Sequence, residues 1–127
     1  WIGQITKRKS EFKLKQIGIA LATEYFKNIG IRAVKPDVHI LRICGTERLG
    51  ILGSIKNEKS APNIKTQKEF IEFAQKISEN PDEVVYLDNL FWIFGAKGYG
   101  EICGKKPKCK ECKCELINNC KTGKKVK

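Results

Sequence analysis

The sequence predicts an all-α fold that ends in a cysteine-rich metal-binding loop. Apolar residues between positions 19 and 94 recur at helical spacing, and the alternating pattern of a half-buried strand is absent. Five of the six cysteines lie between Cys103 and Cys120. With 127 residues, of which 41% are hydrophobic, the chain is long enough for one domain with a packed core.

The first two helices are predicted from residue spacing and from their start and stop signals. One covers residues 19–29, and Gly30 ends it as the residue after the C-cap. The next is opened by the Pro-Asp pair at 36–37 and runs to Cys44. We expect residues 45–65 to be irregular, because three glycines and one proline interrupt them.

Two longer helices are predicted further along the chain. The sequence TQKE at 66–69 is a capping box with Thr66 as N-cap, and its helix should end before Pro81. Asn80 is then the predicted N-cap of the last long helix, with Pro81 at its first position. The predicted buried faces of the two helices are Phe70, Phe73, Ala74 and Ile77, and Val84, Leu87, Phe91 and Phe94.

The charge of the chain is positive and concentrated near its end. The formal net charge is +11, and residues 104–127 hold nine lysines against two glutamates. Such a segment suits a polyanion such as DNA or RNA, or an anionic membrane surface; the alternative is a solvated tail that aids solubility. We expect residues 122–127 to be disordered. No apolar run is long enough for a transmembrane helix, so we expect no membrane partner.

The clustered cysteines predict a metal centre. Their spacing is Cys103-x5-Cys109-x2-Cys112-x7-Cys120, with Cys114 inside the last gap. Four thiolates on short loops suit a [4Fe–4S] cluster or a structural Zn²⁺, and spacing does not choose between them. In a lysine-rich chain without a secretory signal pattern, the cluster also indicates a reducing, cytoplasmic location. Cys44 lies on an apolar helix face and is predicted to be a core residue.

Two shorter features carry possible chemistry. The run LKQIGIALA at 14–22 places a turn before a helix N-terminus, where backbone amides can bind a phosphate, and Gly18 permits close approach; a plain helix–helix turn is the alternative. Asp37 opens the next helix two residues before the only histidine, His39. From the local sequence alone, an N-capping role explains Asp37 best.

The order of these features resembles the helix-hairpin-helix DNA glycosylase superfamily, in particular its endonuclease III-like branch, which carries an iron–sulfur cluster. In that family a hairpin of the type LPGVGxKTA opens a helix, an aspartate follows in a DxHxxR context, and a CX6CX2CX5C loop comes last. The matching segments here are LKQIGIALA at 14–22, DVHILR at 37–42, RLG at 48–50, LFWIFG at 90–95 and KKPK at 105–108. The resemblance extends from about Phe12 to Cys120 and covers most of the chain.

The resemblance implies a fold and a role for each matching residue. The fold would be a helix-hairpin-helix glycosylase-like bundle in residues 1–102, incomplete at the N-terminus, followed by an iron–sulfur cluster loop in 103–120 and a basic tail in 121–127. Asp37 would be the catalytic carboxylate. The DNA-binding residues would be Gln16, Gly18, Ala20, His39, Lys105, Lys106 and Lys108. The metal ligands would be Cys103, Cys109, Cys112 and Cys120, with Cys114 as a substitute.

The chain also departs from the family pattern. Lys15 and Gln16 replace the proline and the first glycine of the hairpin, and Ala20 takes the place of the Schiff-base lysine of bifunctional members. The first cysteine gap is one residue shorter and the last is two residues longer than in the family. The resemblance therefore implies a monofunctional DNA repair glycosylase that removes a damaged or mismatched base from double-stranded DNA, with no obligate protein partner.

Three alternatives remain open from the sequence. The first is a non-catalytic, metal-containing DNA-binding module of the same superfamily, which the altered hairpin favours. The second is a small metal-binding or electron-transfer protein whose basic surface is incidental. The third is a zinc-stabilised RNA-binding protein, although few aromatic residues lie near the basic segment to stack on bases.

Overall fold

The computed structural model describes residues 2–77, 80, 82–113 and 118–125. Within these residues the fold is all-α, as predicted, with no strand and one isolated bridge between Gly45 and Leu52. The helices in chain order are α1 (Ile2–Thr6), α2 (Ile19–Asn28), α3 (Val38–Cys44), α4 (Ile64–Ile77), α5 (Glu83–Gly95) and α6 (Lys121–Lys124), with a 3-10 turn at Cys109–Glu111. Helix α5 packs against both α3 and α4, and α1 packs against α2.

Helix α2 ends as the sequence predicts. Gly30 has φ +83, a left-handed conformation that glycine adopts without a steric penalty. The Gly30 amide donates to the Lys27 carbonyl, and the Ile31 amide donates to the Phe26 carbonyl. This pair of bonds is a Schellman motif, and it fixes the direction in which the chain leaves α2.

Helix α3 forms the centre of the core. Asp37 is its N-cap, and every residue from Ile40 to Cys44 is buried. The predicted core role of Cys44 is confirmed, because its side chain is fully buried. The residues of this core are Val34, Ile40, Leu41, Ile43, Cys44, Leu52, Ile55, Phe70, Ala74, Val84, Leu87 and Phe91.

Helix α4 begins three residues earlier than predicted. The Asn63 side chain accepts from the Thr66 amide, and the Thr66 hydroxyl accepts from the Asn63 amide, so Asn63 is the capping residue and the predicted Thr66 cap is wrong. Glu69 does not complete a capping box, because its carboxylate accepts from the amide and hydroxyl of Ser54. This bond ties the preceding loop to α4. Pro81, before which this helix is predicted to end, lies outside the described residues.

Helix α5 buries the predicted stripe but starts later than predicted. The helix is assigned from Glu83, and Asp82 before it makes no side-chain capping bond. The Asn80 side chain accepts from the Asp82 amide and the Asn80 carbonyl from the Glu83 amide, so Asn80 caps the turn that leads into α5. Val84, Leu87 and Phe91 are buried, and Phe94 packs partly buried against the same core.

Residues 45–63 lack regular structure, as predicted, but are closely tied to the helices. The Thr46 amide donates to Ile55 and the Leu52 amide to Cys44. A Cβ atom on Gly45 would lie 2.6 Å from the carbonyl oxygens of both Leu41 and Lys56. Glycine at this position therefore permits the backbone of the loop to lie against the end of α3.

The C-terminal segment is ordered as far as it is described, so the expectation of a disordered tail is wrong for residues 122–125. Helix α6 is held to the loop after α3 by two bonds, from the Lys121 amide to the Arg48 carbonyl and from the Thr122 hydroxyl to the Glu47 carbonyl. Gly123 is buried. Residues 126 and 127 lie outside the described part.

Candidate functional site

The cysteine loop and the end of α5 enclose a cavity of about 290 Å³. Four thiols line it, from Cys103, Cys109, Cys112 and Cys120. The remaining lining is apolar and comes mainly from α3, α4 and α5. Cys114, the expected substitute ligand, lies outside the described residues.

Local backbone bonds bring the four cysteines to this cavity. The Cys103 amide donates to the Phe94 carbonyl, which folds the chain back against the end of α5. Cys109 and Cys112 flank a 3-10 turn, in which the Cys112 amide donates to the Cys109 carbonyl. Cys120 is the N-cap of α6, and its sulfur accepts from the Gly123 amide at 3.4 Å. The C-x2-C pair and the distant Cys120 thus face one space.

A buried arginine holds the cysteine loop in place. Arg48 donates from Nη1 to the sulfur and carbonyl oxygen of Cys103, both at 2.8 Å, and from Nη2 to the Gly104 carbonyl at 2.8 Å. The sequence places Arg48 in a family-like RLG motif, but nothing local indicates that its side chain reaches a residue 55 positions away.

The thiols are not arranged around a single ion in this structure. A tetrahedral Zn²⁺ with bonds of about 2.3 Å draws its sulfurs to within ~3.8 Å of one another. Among the described residues, no group of three His, Cys, Asp or Glu side chains is arranged to hold a single ion. Burial raises the pKa of the Cys103 thiol, while Arg48 opposes that shift.

Asp37 lies at a second site, where α3 begins. Its Oδ1 accepts from the amides of His39 at 2.8 Å and Ile40 at 3.1 Å, so the capping role is confirmed. Its other oxygen, Oδ2, makes no hydrogen bond within the described part of the chain. The side chain lines a cavity of about 220 Å³ between α2, α3 and α5. One carboxylate can therefore cap the helix and still offer an oxygen to a ligand.

Ionic side chains fill the back of this cavity, and sequence reasoning missed them. Lys27 lies 2.9 Å from Asp88 and 3.4 Å from Glu24, and Lys35 lies 3.8 Å from Glu24. The side chain of Asp88 is only 4% exposed. Lys27 lies in the last turn of α2, where its carbonyl takes part in the Schellman motif, and Asp88 lies on the buried stripe of α5. The position of Asp88 within an apolar stripe was the one feature of the sequence that could have indicated this ion pair.

Burial and ion pairing shift the pKa of each of these two residues in opposite directions. Burial raises the pKa of Asp88, and the ammonium of Lys27 offsets only part of the shift. For Lys27 burial opposes the charge, but hydrogen bonding and attraction to Asp88 and Glu24 prevail and raise its pKa. Lys27 is therefore held as an ammonium ion.

His39 faces the end of α5. Its ring lies edge-on to Trp92, with the centroids 6.1 Å apart. A Cβ atom on Gly95 would lie 3.0 Å from Nδ1 of His39 and 3.5 Å from the Cys103 carbonyl oxygen. Gly95 thus lies between the helix that starts at Asp37 and the loop that carries the cysteines.

The predicted hairpin is a turn over residues 14–17. The Ile17 amide donates to the Leu14 carbonyl, and Gln16 has φ +61, a conformation that favours glycine. Gln16 therefore adopts the left-handed backbone that a glycine of the family motif would provide. Gly18 is the N-cap of α2 and is exposed, and no atom lies within 4 Å of the position of a Cβ there. Ala20 is partly buried in the first turn of α2.

The lysines of the cysteine loop point outwards. Lys105, Lys106 and Lys108 are exposed, and Lys108 lies 3.8 Å from Glu101. They surround a cavity whose inner lining contains no charged side chain. The thiols of the loop therefore face the cavity, and its lysines face the solvent.

The chain matches no protein-family model, no curated protein and no solved structure. In the part of the chain that the structure describes, no helix has the length and apolar character needed to cross a bilayer.

Proposed function

We propose that this protein is a monofunctional DNA N-glycosylase that hydrolyses the bond between deoxyribose and a damaged or mismatched base. The observation that carries the proposal is the geometry of Asp37. One of its oxygens is fixed by two backbone amides, and the other lines a cavity without a partner in the described residues. The resemblance of the hairpin, the aspartate motif and the cysteine loop to endonuclease III-like glycosylases supports the same activity.

The chemistry needs a fixed anion close to the sugar. Breaking an N-glycosidic bond builds positive charge on the sugar ring, and a carboxylate next to it stabilises that charge. The base must first leave the duplex stack, because its bond is otherwise shielded. The two amides at the start of α3 hold the Asp37 carboxylate in one orientation. Its free oxygen can then orient a water molecule or face the cation.

The lysines that line the Asp37 cavity are both ion-paired, which supports hydrolysis alone. Strand cleavage by a lyase needs a neutral lysine as nucleophile. Ala20 occupies the position of that lysine in the hairpin. Lys27 lines the Asp37 cavity, but it is paired with Asp88 and its pKa is raised. An amine held as an ammonium ion has no electron pair to attack a sugar.

A [4Fe–4S] cluster, with zinc as the alternative, is the group proposed for the cysteine cavity. Cys103, Cys109, Cys112 and Cys120 would hold it. When bound, the group supplies metal–thiolate bonds that cross-link the loop. Arg48 holds Cys103 from outside the cavity, and the loop presents Lys105 and Lys106 to solvent, where they can contact phosphates.

DNA contact would come from the hairpin and the lysines of the loop. Exposed amides at the start of α2 can donate to a backbone phosphate, and each further lysine–phosphate contact adds about 0.9 to the salt slope of binding. These contacts position a duplex without reading its sequence.

The test is Asp37→Asn in the anaerobically purified protein. Asparagine is an equally good N-cap, so the bonds to His39 and Ile40 survive while the charge is lost. Duplexes that each contain one altered base, such as uracil or an alkylated purine, are incubated with the protein and then treated with alkali. We expect breaks at the altered base that require alkali, and a loss of at least ~100-fold in their rate in Asp37→Asn.

Two controls separate catalysis from folding. Asp37→Ala removes the cap as well and should cost about 1 kcal/mol of stability, whereas Asp37→Asn should not. DNA affinity, followed by fluorescence anisotropy, should be unchanged in Asp37→Asn. An equal excision rate in Asp37→Asn and the parent protein would refute the assigned role of the carboxylate.

A non-catalytic DNA-binding module is the second candidate. The exposed hairpin and the outward lysines favour it, because neither depends on the Asp37 cavity. It predicts salt-dependent DNA binding with no excision of any base tested. The alternative of a metal-binding or electron-transfer protein predicts no DNA binding, and the RNA-binding alternative predicts a preference for RNA.

A further inference from the structure

Trp92 forms one wall of the Asp37 cavity, and the proposed reaction does not use it. The indole lies on α5, one turn after Asp88, and is partly buried. Asn89 lies on the same face of the helix and lines the same cavity. The cavity therefore combines an aromatic ring with amide and carboxylate groups.

Two rings hold the indole in place. His39 contacts it edge-on at 6.1 Å, and Tyr99 contacts it at 4.8 Å with 63° between the ring planes. Tyr99 itself is 62% exposed. It is brought back to Trp92 by a turn in which Gly98 has φ +81 and the Gly100 amide donates to the Ile93 carbonyl. An exposed aromatic ring is thus placed against the Trp92 wall of the cavity.

The indole, amide and carboxylate groups that line this cavity suit a ligand with a flat, neutral ring and hydrogen-bond donors. An aromatic side chain stacks on the π-face of any nucleobase, and carboxylate and amide oxygens accept from its N–H groups. A free anion fits less well, because Glu24, Asp37 and Asp88 place three carboxylates around two lysines. A purely apolar ligand would leave those groups without water or a partner.

We infer that Trp92, supported by Tyr99, stacks on an unpaired nucleobase at the mouth of the Asp37 cavity. The inference rests on the proposed binding of DNA and names the residue that selects an unstacked base. Trp92 would make no contact with a fully paired duplex, since its bases are covered by their neighbours. It is thus assigned to recognition of the unpaired base.

Fluorescence gives a direct test, because Trp1 and Trp92 are the only tryptophans in the chain. In a Trp1→Phe variant, all indole emission comes from Trp92. The variant is titrated with a fully paired duplex and with the same duplex containing one bulged, unpaired base. Anisotropy of a dye on the DNA reports binding separately. We expect both duplexes to bind and only the bulged one to quench Trp92.

Affinity provides the second readout. Trp92→Ala should weaken binding of the bulged duplex by about 5- to 150-fold and leave the paired duplex unchanged. Trp92→Phe should restore most of the loss, which controls for damage to folding. Tyr86→Ala is the matched control, because Tyr86 is 61% exposed on the same helix but does not line the cavity.

The outcomes separate the inference from the proposed function. Binding of the bulged duplex without quenching, or equal losses for both duplexes in Trp92→Ala, would overturn the role of Trp92 and leave DNA binding intact. Failure of both duplexes to bind at low salt would instead overturn the proposed function.

Discussion

The guanidinium of Arg48 lies 2.8 Å from the sulfur of Cys103, and the same nitrogen also donates to the Cys103 carbonyl. A second nitrogen of Arg48 donates to Gly104. Because only 8% of Arg48 is exposed, these bonds take the place of the hydrogen bonds to water that an exposed guanidinium makes. The loop after α3 and the start of the cysteine loop are therefore joined by one side chain.

Replacing Arg48 by lysine should loosen the cysteine loop although the charge is kept. A lysine ammonium cannot reproduce a planar fork of three bonds, so we expect a loss of about 2 kcal/mol in the free energy of unfolding. Reaction of the thiols with Ellman's reagent should become faster. Arg32→Lys, at an exposed position, is the control and should change neither quantity. Equal thiol reactivity in Arg48→Lys and the parent protein would contradict the prediction.

Substitution of Gly18 by alanine should affect binding and not stability. No atom lies within 4 Å of the position of a Cβ there, and the backbone has φ −90, so alanine fits the fold. Any loss must then come from a ligand that approaches the backbone from outside. We expect DNA affinity to fall about tenfold, with an unchanged or slightly raised melting temperature. Gly3→Ala, which also has only ordinary contacts, should leave affinity unchanged.

Breaking the pair between Lys27 and Asp88 should be costly. Lys27→Met leaves a buried carboxylate with no opposite charge and should remove about 3–5 kcal/mol, whereas adding Asp88→Asn should restore part of it. Lys56→Met, which removes an exposed partner of Glu47, should cost no more than about 1 kcal/mol. Urea unfolding of the single and double variants measures these differences. A loss in Lys27→Met as small as that in Lys56→Met would show that the pair contributes little.

The same pair gives a pH dependence with a definite sign. The folded pKa of Lys27 lies above 10.5, so its stabilising contribution is fully present below that pH and is lost as the pH rises through the folded pKa. The stability difference between the parent protein and Lys27→Met should therefore be constant near pH 8 and shrink as the pH rises above 10.5. Urea unfolding at several alkaline pH values checks this, and a difference that grows with pH would contradict it.

Alanine at Gly45 should disrupt the fold. Its Cβ would lie 2.6 Å from two backbone oxygens, which cannot move without shifting α3 or the following loop. We expect a loss of at least ~3 kcal/mol, measured by thermal or urea unfolding. Gly53→Ala in the same loop is the control, because its nearest neighbour would be a Glu69 oxygen at 3.6 Å. A small loss in Gly45→Ala would mean that the loop does not lie closely against α3.

Local sequence patterns were enough for most helices and failed where two signals competed. The end of α2 and the Asp37 cap follow from a few neighbouring residues, and both are confirmed. At α4, Asn63 and Thr66 are both capping residues, and the earlier one prevails because Ser54 takes the Glu69 carboxylate. That contact comes from another part of the chain, so local spacing could not predict it.

The candidate sites show the same difference between features set by local sequence and contacts set by distant residues. The cysteine spacing predicted four thiols around one space, and the structure places them on one cavity. The partners of these groups lie far away in sequence: Lys27 and Asp88 are 61 positions apart, and Arg48 and Cys103 are 55 apart. Periodicity and motif spacing describe neighbours along the chain, whereas such pairs are set by how helices pack.

The bond from the Thr122 hydroxyl to the Glu47 carbonyl spans 75 positions. During synthesis, residue 122 leaves the ribosome long after α2 to α5 can have packed, since domains acquire their first contacts as the chain emerges. The contact between α6 and the loop after α3 therefore forms last. Until then Cys120 is absent from the cavity, which the other three thiols line alone. For the proposed metal group, the order of translation makes Cys120 the last of the four ligands to arrive.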